Sequence, residues 1–245
     1  MLELPIPDPL FRVVTEAATP DPHVIAWKAL HQDYSEGFVS DEPAPLEDEA
    51  GMIVVNRLLK GNRGHFGPLE HPQITLAVGG FPHEVMQQAR THRVACSFDV
   101  QSGRYTGNRV VELAQGKRRT EEVFYYRPVG EYRGRHGHHY TYTEEDRQED
   151  LETAFSYAQR YAGRINAGYA EEHARANCPY AIRQNFVVSF NARSLMHFLD
   201  LRGNADAQLE IRQLSALMMG NFQEWMPVLA HWYANERYTK ARFAP

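Results

Sequence analysis

The stretch NFVVSFNARSLMHFLDLRG, residues Asn185–Gly203, changes from a strand pattern to a helix pattern and decides the fold class. Its first part, NFVVSF, is rich in apolar and β-branched residues and predicts a buried strand. Asn191 follows, and because asparagine is a preferred helix N-cap, the segment ARSLMHFLDLR predicts a helix that Gly203 ends. Strands and helices alternate irregularly along the chain, which favours an α+β fold over a doubly wound parallel sheet.

The predicted helix after Asn191 carries a group of polar residues. Arg193 and His197 are one turn apart on one face, opposite the leucine and phenylalanine residues of the buried side. A single histidine on such a helix is more often a satisfied core residue. An Arg–His pair beside an asparagine cap, with Arg202 at the far end of the helix, instead indicates a binding site.

A second polar block, RTHRVACSFDVQSGRY, occupies Arg90–Tyr105. The segment HPQITLAVGGF upstream predicts a strand after Pro72, and PHEVMQQARTHR predicts a helix that begins at Pro82. The polar block therefore begins on the last turn of this helix and continues into a segment that we expect to be irregular. Hydrogen-bonding and apolar side chains alternate along the block without a clear period, which is typical of a site rather than of a surface loop.

The rest of the chain supplies further predicted elements. Residues 1–49 form a proline-rich N-terminal segment, and DEAGMIVVNRLLKGN predicts a helix stopped by Gly61. The aromatic runs within residues 122–142 predict a hairpin-like excursion. A long amphipathic helix is predicted from Thr143 to about residue 166, and a last long helix is predicted to open at Asn204 or Asp206.

Composition excludes several classes of protein. The chain has 245 residues, 43% of them hydrophobic, which fits a single domain over 1–245. The net charge of −5 argues against a general nucleic-acid binder, because counterion release requires a basic surface. The absence of a long apolar run or a signal-peptide pattern predicts a soluble cytoplasmic protein without membrane contact. Two cysteines are too few for a disulfide framework.

The basic residues are 22 arginines and 4 lysines. This excess fits either the compositional bias of a GC-rich genome or a pocket that binds several phosphates, since the arginine fork matches phosphate oxygens. No glycine-rich phosphate loop is present, so arginine forks and helix starts would have to hold any phosphates. His136, His138 and His139 lack cysteine or carboxylate partners at ligand spacing, and we expect no metal site there.

The two polar blocks together resemble the flavin-dependent thymidylate synthases. That family's signature is Arg-His-Arg, seven residues and Ser; here Thr91-His92-Arg93 is followed by eight residues and then Ser102. The segments GHFGPLEH and HARANCP lie in the family's order as well, so the resemblance covers about residues 50–235.

The resemblance implies a specific enzyme. It would be a homotetramer with active sites shared between subunits, built on a mixed antiparallel sheet packed with long helices. It would convert dUMP to dTMP with methylenetetrahydrofolate as carbon donor and NADPH reducing a bound FAD. The residues that would contact FAD are His65, Thr91, His92, Arg93, Asn191, Arg193 and His197. The residues that would hold dUMP are Gln88, Gln101, Ser102, Gly103, Arg104, Arg175 and Arg202. Arg202 would also be catalytic, stabilising negative charge on the uracil ring.

Two alternatives to this enzyme stay open from the sequence. One is a non-catalytic nucleotide- or RNA-binding protein that uses the arginines and the aromatic hairpin, although the acidic net charge weighs against it. The other is a flavoprotein of different activity on the same fold, because a fold does not determine a function.

Overall fold

A computed structural model describes residues 4–61, 64–134 and 137–240. Their backbone positions group into two compact units. The first unit comprises the described residues of Met1–Val78, Gln88–Asp99 and Val187–Pro245, and the second comprises those of Gly79–Gln87 and Val100–Phe186. The prediction that residues 1–245 form a single domain stays a prediction.

The secondary structure mixes strands and helices along the chain. The strands are β1 (Arg12–Ala18), β2 (Gln73–Pro82), β3 (Cys96–Val100), β4 (Gly130–Arg133), β5 (His139–Tyr142) and β6 (Arg183–Asn191). The helices are α1 (Pro22–Gln32), α2 (Glu47–Val54), α3 (His83–Ala89), α4 (Asn108–Ala114), α5 (Thr120–Val123), α6 (Glu144–Asn166), α7 (Glu171–Ala174), α8 (Ala192–Arg202), α9 (Leu209–Trp225) and α10 (Pro227–Glu236). No helix within the described ranges is long and apolar enough to cross a membrane.

A four-stranded sheet has the order β1-β2-β6-β3, and β4 pairs with β5 in a separate antiparallel hairpin. Ala192 N donates to Pro72 O at 3.0 Å, and the hydroxyl oxygens of Thr75 and Ser189 lie 2.9 Å apart. Residue numbers therefore rise along β2 while they fall along β6, so these two strands are antiparallel. The predicted α+β class with antiparallel pairing is confirmed.

Helix α8 begins and ends where the sequence predicts. Asn191 Oδ1 accepts a hydrogen bond from Ser194 N at 2.8 Å, which satisfies one of the free N–H groups of the first turn. Gly203 follows the last residue without a left-handed backbone, at φ −80°. A Cβ atom at Gly203 would lie 2.5 Å from the ring of Tyr238, so close packing explains the glycine here.

Helix α6 also confirms its prediction. Thr143 and Asp146 form a reciprocal capping box, with Asp146 N donating to Thr143 Oγ1 at 3.1 Å and Thr143 N donating to Asp146 Oδ2 at 2.9 Å. Ala158 and Tyr161 are buried in the core of the second unit. After the helix, Gly168 adopts φ 81°, a conformation that favours glycine.

The structure corrects several predicted boundaries. Helix α3 begins at His83, since Pro82 still belongs to β2, and it ends at Ala89 rather than at Arg93. After it the chain continues in turns, in which Thr91 N donates to Gln88 O and His92 N donates to Ala89 O. The segment expected to be irregular contains strand β3, whose side chains alternate between half-buried and exposed. Helix α9 begins after Gln208 rather than at Asn204 or Asp206, and α10 follows it from Pro227.

Within the N-terminal fifty residues the structure has elements that the sequence did not predict. Strand β1 and helix α1 both lie there. Between residues 122 and 142, the second aromatic run contributes to the β4–β5 hairpin, in which Tyr132 stacks against Tyr140 at a centroid distance of 5.7 Å. Phe124 and Tyr125 of the first run are instead buried.

Candidate active site

A cavity of about 250 Å³ lies in the first unit, between the segment that follows α3 and one face of α8. Both polar blocks of the sequence contribute to it. The lining residues are Thr91, His92, Arg93, Val94, Cys96, Ser194, His197, Leu201 and Arg202. Ser194, His197 and Leu201 of α8 follow one another at three- and four-residue spacings, which place them on one face of the helix, and Arg202 is its last residue.

The guanidinium of Arg202 is held in one orientation by three acceptors. Its Nε donates to His92 Nε2 at 3.0 Å, and its Nη2 donates to Gln88 O at 3.0 Å and to Thr91 Oγ1 at 2.7 Å. An arginine has five N–H donors, so the two N–H groups of Nη1 remain without a hydrogen bond within the described part of the chain. A positioned fork with two available donors can bind a carbonyl or phosphate oxygen.

His92 is a neutral imidazole in this arrangement. Its Nε2 accepts the hydrogen bond from Arg202, so the proton of the neutral ring lies on Nδ1. Burial lowers the pKa of His92 to about 4, with further lowering from the charges of Arg202 and His197. The ring of His197 meets it edge-on at a centroid distance of 5.5 Å. At neutral pH, His92 can therefore donate a hydrogen bond from Nδ1 but carries no charge.

Three of the predicted FAD-contacting residues do not line this cavity. Asn191 is buried, and its side-chain oxygen caps α8. Arg193 Nη1 lies 2.6 Å from Glu70 Oε1 and its guanidinium lies over the ring of Phe66. His65 Nε2 lies 2.8 Å from Asp33 Oδ2, and both of these side chains are exposed.

Gln88 takes part in the structure of the first unit through two groups. Its carbonyl oxygen accepts a hydrogen bond from Arg202, and its side-chain amide donates to Gln208 Oε1. The side chain of Gln88 is therefore directed at Gln208 and is not among the groups that line the cavity.

A second cavity, of about 420 Å³, lies in the second unit and contains two of the predicted dUMP-binding residues, Gly103 and Arg175. A Cβ atom at Gly103 would lie 3.0 Å from Arg175 Nη1, so the guanidinium packs closely on the backbone of this loop. A side chain at Gly103 would require the Arg175 guanidinium to shift. A nucleotide bound here would meet both the loop backbone and the arginine.

The other predicted dUMP-binding residues of the second unit do not line its cavity. Arg104 is exposed, and its Nε lies 3.5 Å from Glu172 Oε2. Ser102 Oγ accepts a hydrogen bond from Arg104 N at 3.3 Å. Gln101 Oε1 accepts from Asn185 N at 3.2 Å, which ties the end of β3 to β6.

Several lining residues were not predicted as site residues from the sequence. In the first cavity Ser194 and Leu201 belong to the same face of α8 as His197, so helical spacing could have identified them. In the second cavity, Tyr157 and Tyr161 lie one turn apart on α6. Tyr161 is buried, and a buried phenol that also lines a cavity has no distinguishing sequence pattern.

The two cysteines line different cavities, Cys96 in the first unit and Cys178 in the second. Burial raises the pKa of both thiols. The reactive thiolate form is therefore disfavoured, as expected for cysteines that serve as small apolar residues.

The possible metal site at the histidine-rich loop falls partly on His136, which lies outside the described residues. Within the described ranges, no group of three or more histidine, cysteine, aspartate or glutamate residues is arranged to hold a metal ion.

The sequence matches the family described as thymidylate synthase complementing protein over residues 14–228. The chain is 34% identical to the flavin-dependent thymidylate synthase of Haloarcula marismortui, with 93% of this chain and 97% of that protein covered. The flavin-dependent thymidylate synthase of Halobacterium salinarum is 32% identical, with 96% of this chain and 100% of that protein covered.

Solved structures of similar fold include the following two. A UMP/dUMP methylase from Streptomyces cacaoi bound with 5-Br dUMP superposes with a TM-score of 0.68 at 21% identity, covering 96% of this chain and 97% of the other. Thymidylate synthase X from Helicobacter pylori with FAD and dUMP has a TM-score of 0.62 at 20% identity, covering 89% of this chain and 99% of the other. From the family match and its full-length relatives, the chain belongs to the family of the flavin-dependent thymidylate synthases.

Proposed function

We propose that this protein is a flavin-dependent thymidylate synthase. It converts dUMP to dTMP, with methylenetetrahydrofolate as carbon donor and NADPH as the source of electrons through bound FAD. The observation that carries the proposal is the cavity of the first unit, where the two sequence blocks of the family meet. Thr91, His92 and Arg93 come from one block, and His197 and Arg202 come from the other.

The FAD site is proposed to include all of the predicted cofactor residues. FAD carries two phosphates, and Arg93 on the cavity wall supplies a cation for one of them. The neutral His92 adds a hydrogen-bond donor without a second charge. The full proposed set is His65, Thr91, His92, Arg93, Asn191, Arg193 and His197.

The size of the cavity supports a site that is shared between subunits of a homotetramer. Cavities that enclose a whole small-molecule ligand typically measure about 300–1,000 Å³, and the first cavity, at about 250 Å³, is smaller. A dinucleotide would extend beyond it. Val94 and Leu201 line the cavity, yet 82% of Val94 and 46% of Leu201 are exposed in the single chain. A second subunit that covers these apolar residues would also enclose the cofactor.

With active sites shared between subunits, one dUMP molecule would take contacts from more than one subunit. Gln101, Ser102, Gly103, Arg104 and Arg175 would hold the nucleotide on the second unit. Arginine forks and loop N–H groups suit a dianionic phosphate. Gln88 and Arg202 complete the proposed set of dUMP-binding residues.

Bound FAD would supply the redox chemistry, and the protein would orient it. The role of Arg202 is to stabilise charge at the uracil. Its Nε and Nη2 are anchored by three hydrogen bonds, so the two remaining N–H groups of Nη1 are held ready for a developing negative charge. Such a preorganised donor costs no reorientation during the reaction.

The test compares the wild type with Arg202→Lys. We expect the wild type to show a flavin absorbance band, dUMP-dependent NADPH oxidation and dTMP formation. Lysine has one nitrogen and cannot replace three anchored contacts and a free donor pair. Arg202→Lys should therefore retain FAD and lose turnover by about tenfold or more, a barrier increase of at least ~1.4 kcal/mol.

Arg160→Lys, a change on the exposed face of α6, is the control and should match the wild type. Near-wild-type turnover in Arg202→Lys would remove the catalytic role. A wild-type protein with a flavin band but no dUMP-dependent oxidation would be a different flavoenzyme. A wild-type protein that binds nucleotides without flavin would fit the non-catalytic alternative.

A further inference from the structure

The cavity of the second unit contains a cation that the proposed function does not use. Arg109, on α4, lines the cavity together with Arg175 and Gly103. The Nε of Arg109 is buried and has no hydrogen-bond partner among the described residues. A buried polar group without a partner costs free energy, and a buried charge costs more. The second unit therefore tolerates an unfavourable group at this cavity.

The groups around Arg109 do not neutralise the positive charge of its guanidinium. Burial lowers the pKa of Arg109, the nearby Cys178 raises it, and the charge of Arg118 lowers it further. Glu172 is the one carboxylate among the described lining residues, and its Oε2 lies 3.5 Å from Arg104 Nε. The walls of the cavity thus carry two guanidinium groups, Arg109 and Arg175, and a carboxylate that is already paired.

The neutral polar groups of the same cavity suit an anion as well. Burial raises the pKa of Tyr157 and of Tyr161, so both phenols stay protonated. The Tyr157 hydroxyl is hydrogen-bonded to Cys178, and the Tyr161 hydroxyl can donate to a bound anion. The loop backbone at Gly103 lies directly against Arg175. A ligand with a doubly charged terminal group would supply both the charge and the acceptors that Arg109 lacks.

We infer that Arg109 is a further substrate-binding residue of the enzyme, one that binds the 5′-phosphate of the nucleotide in the second cavity beside Arg175. The inference rests on the proposed function, because that function places dUMP at Gly103 and Arg175. Arg109 makes this end of the site specific for a nucleotide over the nucleoside. It does not touch the reacting ring.

The test measures how much the phosphate contributes to binding. The dissociation constants of dUMP and of deoxyuridine are determined on the FAD-loaded full chain, dUMP by calorimetry and deoxyuridine by displacement of dUMP. The dissociation constant of deoxyuridine divided by that of dUMP measures how much the phosphate contributes to binding. In Arg109→Gln this ratio should shrink about tenfold or more, the scale of a lost charged hydrogen bond. Arg160→Gln, which removes an exposed arginine on α6, should leave the ratio unchanged.

Each other result overturns the inference. If the wild type binds dUMP and the ratio in Arg109→Gln stays within twofold of the wild type, Arg109 is structural while the proposed function stands. If only the KM for methylenetetrahydrofolate rises, the anion bound by Arg109 is the folate carboxylate. If the wild type does not bind dUMP at all, the proposed function fails together with the inference.

A second variant covers the case in which Arg109→Gln does not fold. Arg109→Lys keeps the positive charge and loses the planar fork. We expect it to fold, to bind FAD like the wild type, and to shrink the same ratio by about threefold, since a single ammonium replaces only part of the directed contact. A ratio equal to that of the wild type in this folded variant contradicts a phosphate contact.

Discussion

The hydrogen bond between Arg202 and His92 links the protonation state of His92 to the orientation of the Arg202 guanidinium. The imidazole can accept from Arg202 Nε only while its Nε2 is unprotonated. Protonation would remove that acceptor and place a second cation beside the guanidinium. Burial and this neighbour lower the pKa of His92 together, and the same hydrogen bond helps to fix the Arg202 fork.

This coupling predicts a pH dependence of stability. The pKa of His92 falls from 6.5 in the unfolded chain to about 4 in the folded protein. Between these values the unfolded chain binds the proton more readily, so the free energy of unfolding falls as the pH drops from about 6.5 towards 4. Above pH 6.5 His92 is neutral in both the folded and the unfolded chain, so it adds no pH dependence to the free energy of unfolding. His92→Gln should flatten this decline, as measured by urea unfolding of flavin-free protein at pH 7 and pH 5.

The control for this comparison is built into the protein. Burial also lowers the pKa of His23, which contributes a decline of the same sign in the wild type and in the variant. The contribution of His92 is therefore the difference between the wild type and the variant in how steeply the free energy of unfolding changes with pH. Identical pH dependences in the two proteins would show that His92 titrates normally in the folded state.

At the scale of secondary structure, the junction between β6 and α8 determines where the site residues of α8 lie. Asn191 ends the strand and caps the helix through its side-chain oxygen. The helix then presents His197 to the cavity from one face and Arg202 from its last turn. Whatever contact Asn191 makes with a cofactor, its Oδ1 is already committed to the backbone of the first turn.

Asn191→Ala should therefore destabilise the protein before any cofactor binds. Loss of an N-cap costs about 1 kcal/mol in the free energy of unfolding. Asn191→Ser keeps a capping oxygen and should lose clearly less. Both are measured by urea denaturation of flavin-free protein, which removes the contribution of FAD binding. Equal stability of the alanine and serine variants would mean that the cap contributes nothing.

Elements with strong local signals could be predicted from the sequence, and elements without them could not. The cap at Asn191 and the capping box at Thr143 give α8 and α6 clear starts. Strand β3 lacks such a signal, since its side chains alternate only between half-buried and exposed. Strand β1 is exposed along most of its length and lies at the edge of the sheet, so burial imposes little pattern on it.

At the scale of the whole molecule, cavities depend on segments that are distant in sequence. The grouping of His92 with Arg202 was predicted only through the family resemblance, and the roles of both residues stay predictions. The cavity of the second unit joins Arg109 of α4 with Tyr157 and Tyr161 of α6. The spacing of residues within one helix does not predict that these side chains line one cavity, because that depends on how the two helices pack.

The last prediction concerns the assembly that the proposed function requires. Val94 lines the first cavity with 82% of its surface exposed in the single chain, and Leu201 beside it is 46% exposed. In a homotetramer with shared sites, another subunit would cover these apolar side chains.

Val94→Asp would then place an unpaired carboxylate in an apolar contact, which is strongly unfavourable. The variant should sediment as species smaller than the proposed tetramer and should lose FAD, because in that assembly one chain would enclose only part of the cofactor. Met52→Asp adds the same charge at another exposed apolar residue, outside the cavity lining, and should keep both properties. Sedimentation velocity and the ratio of flavin to protein absorbance give the two readouts. A Val94→Asp protein that stays tetrameric and fully loaded, or a wild type that sediments as a single chain with full flavin content, would show that the site is complete without a neighbouring subunit.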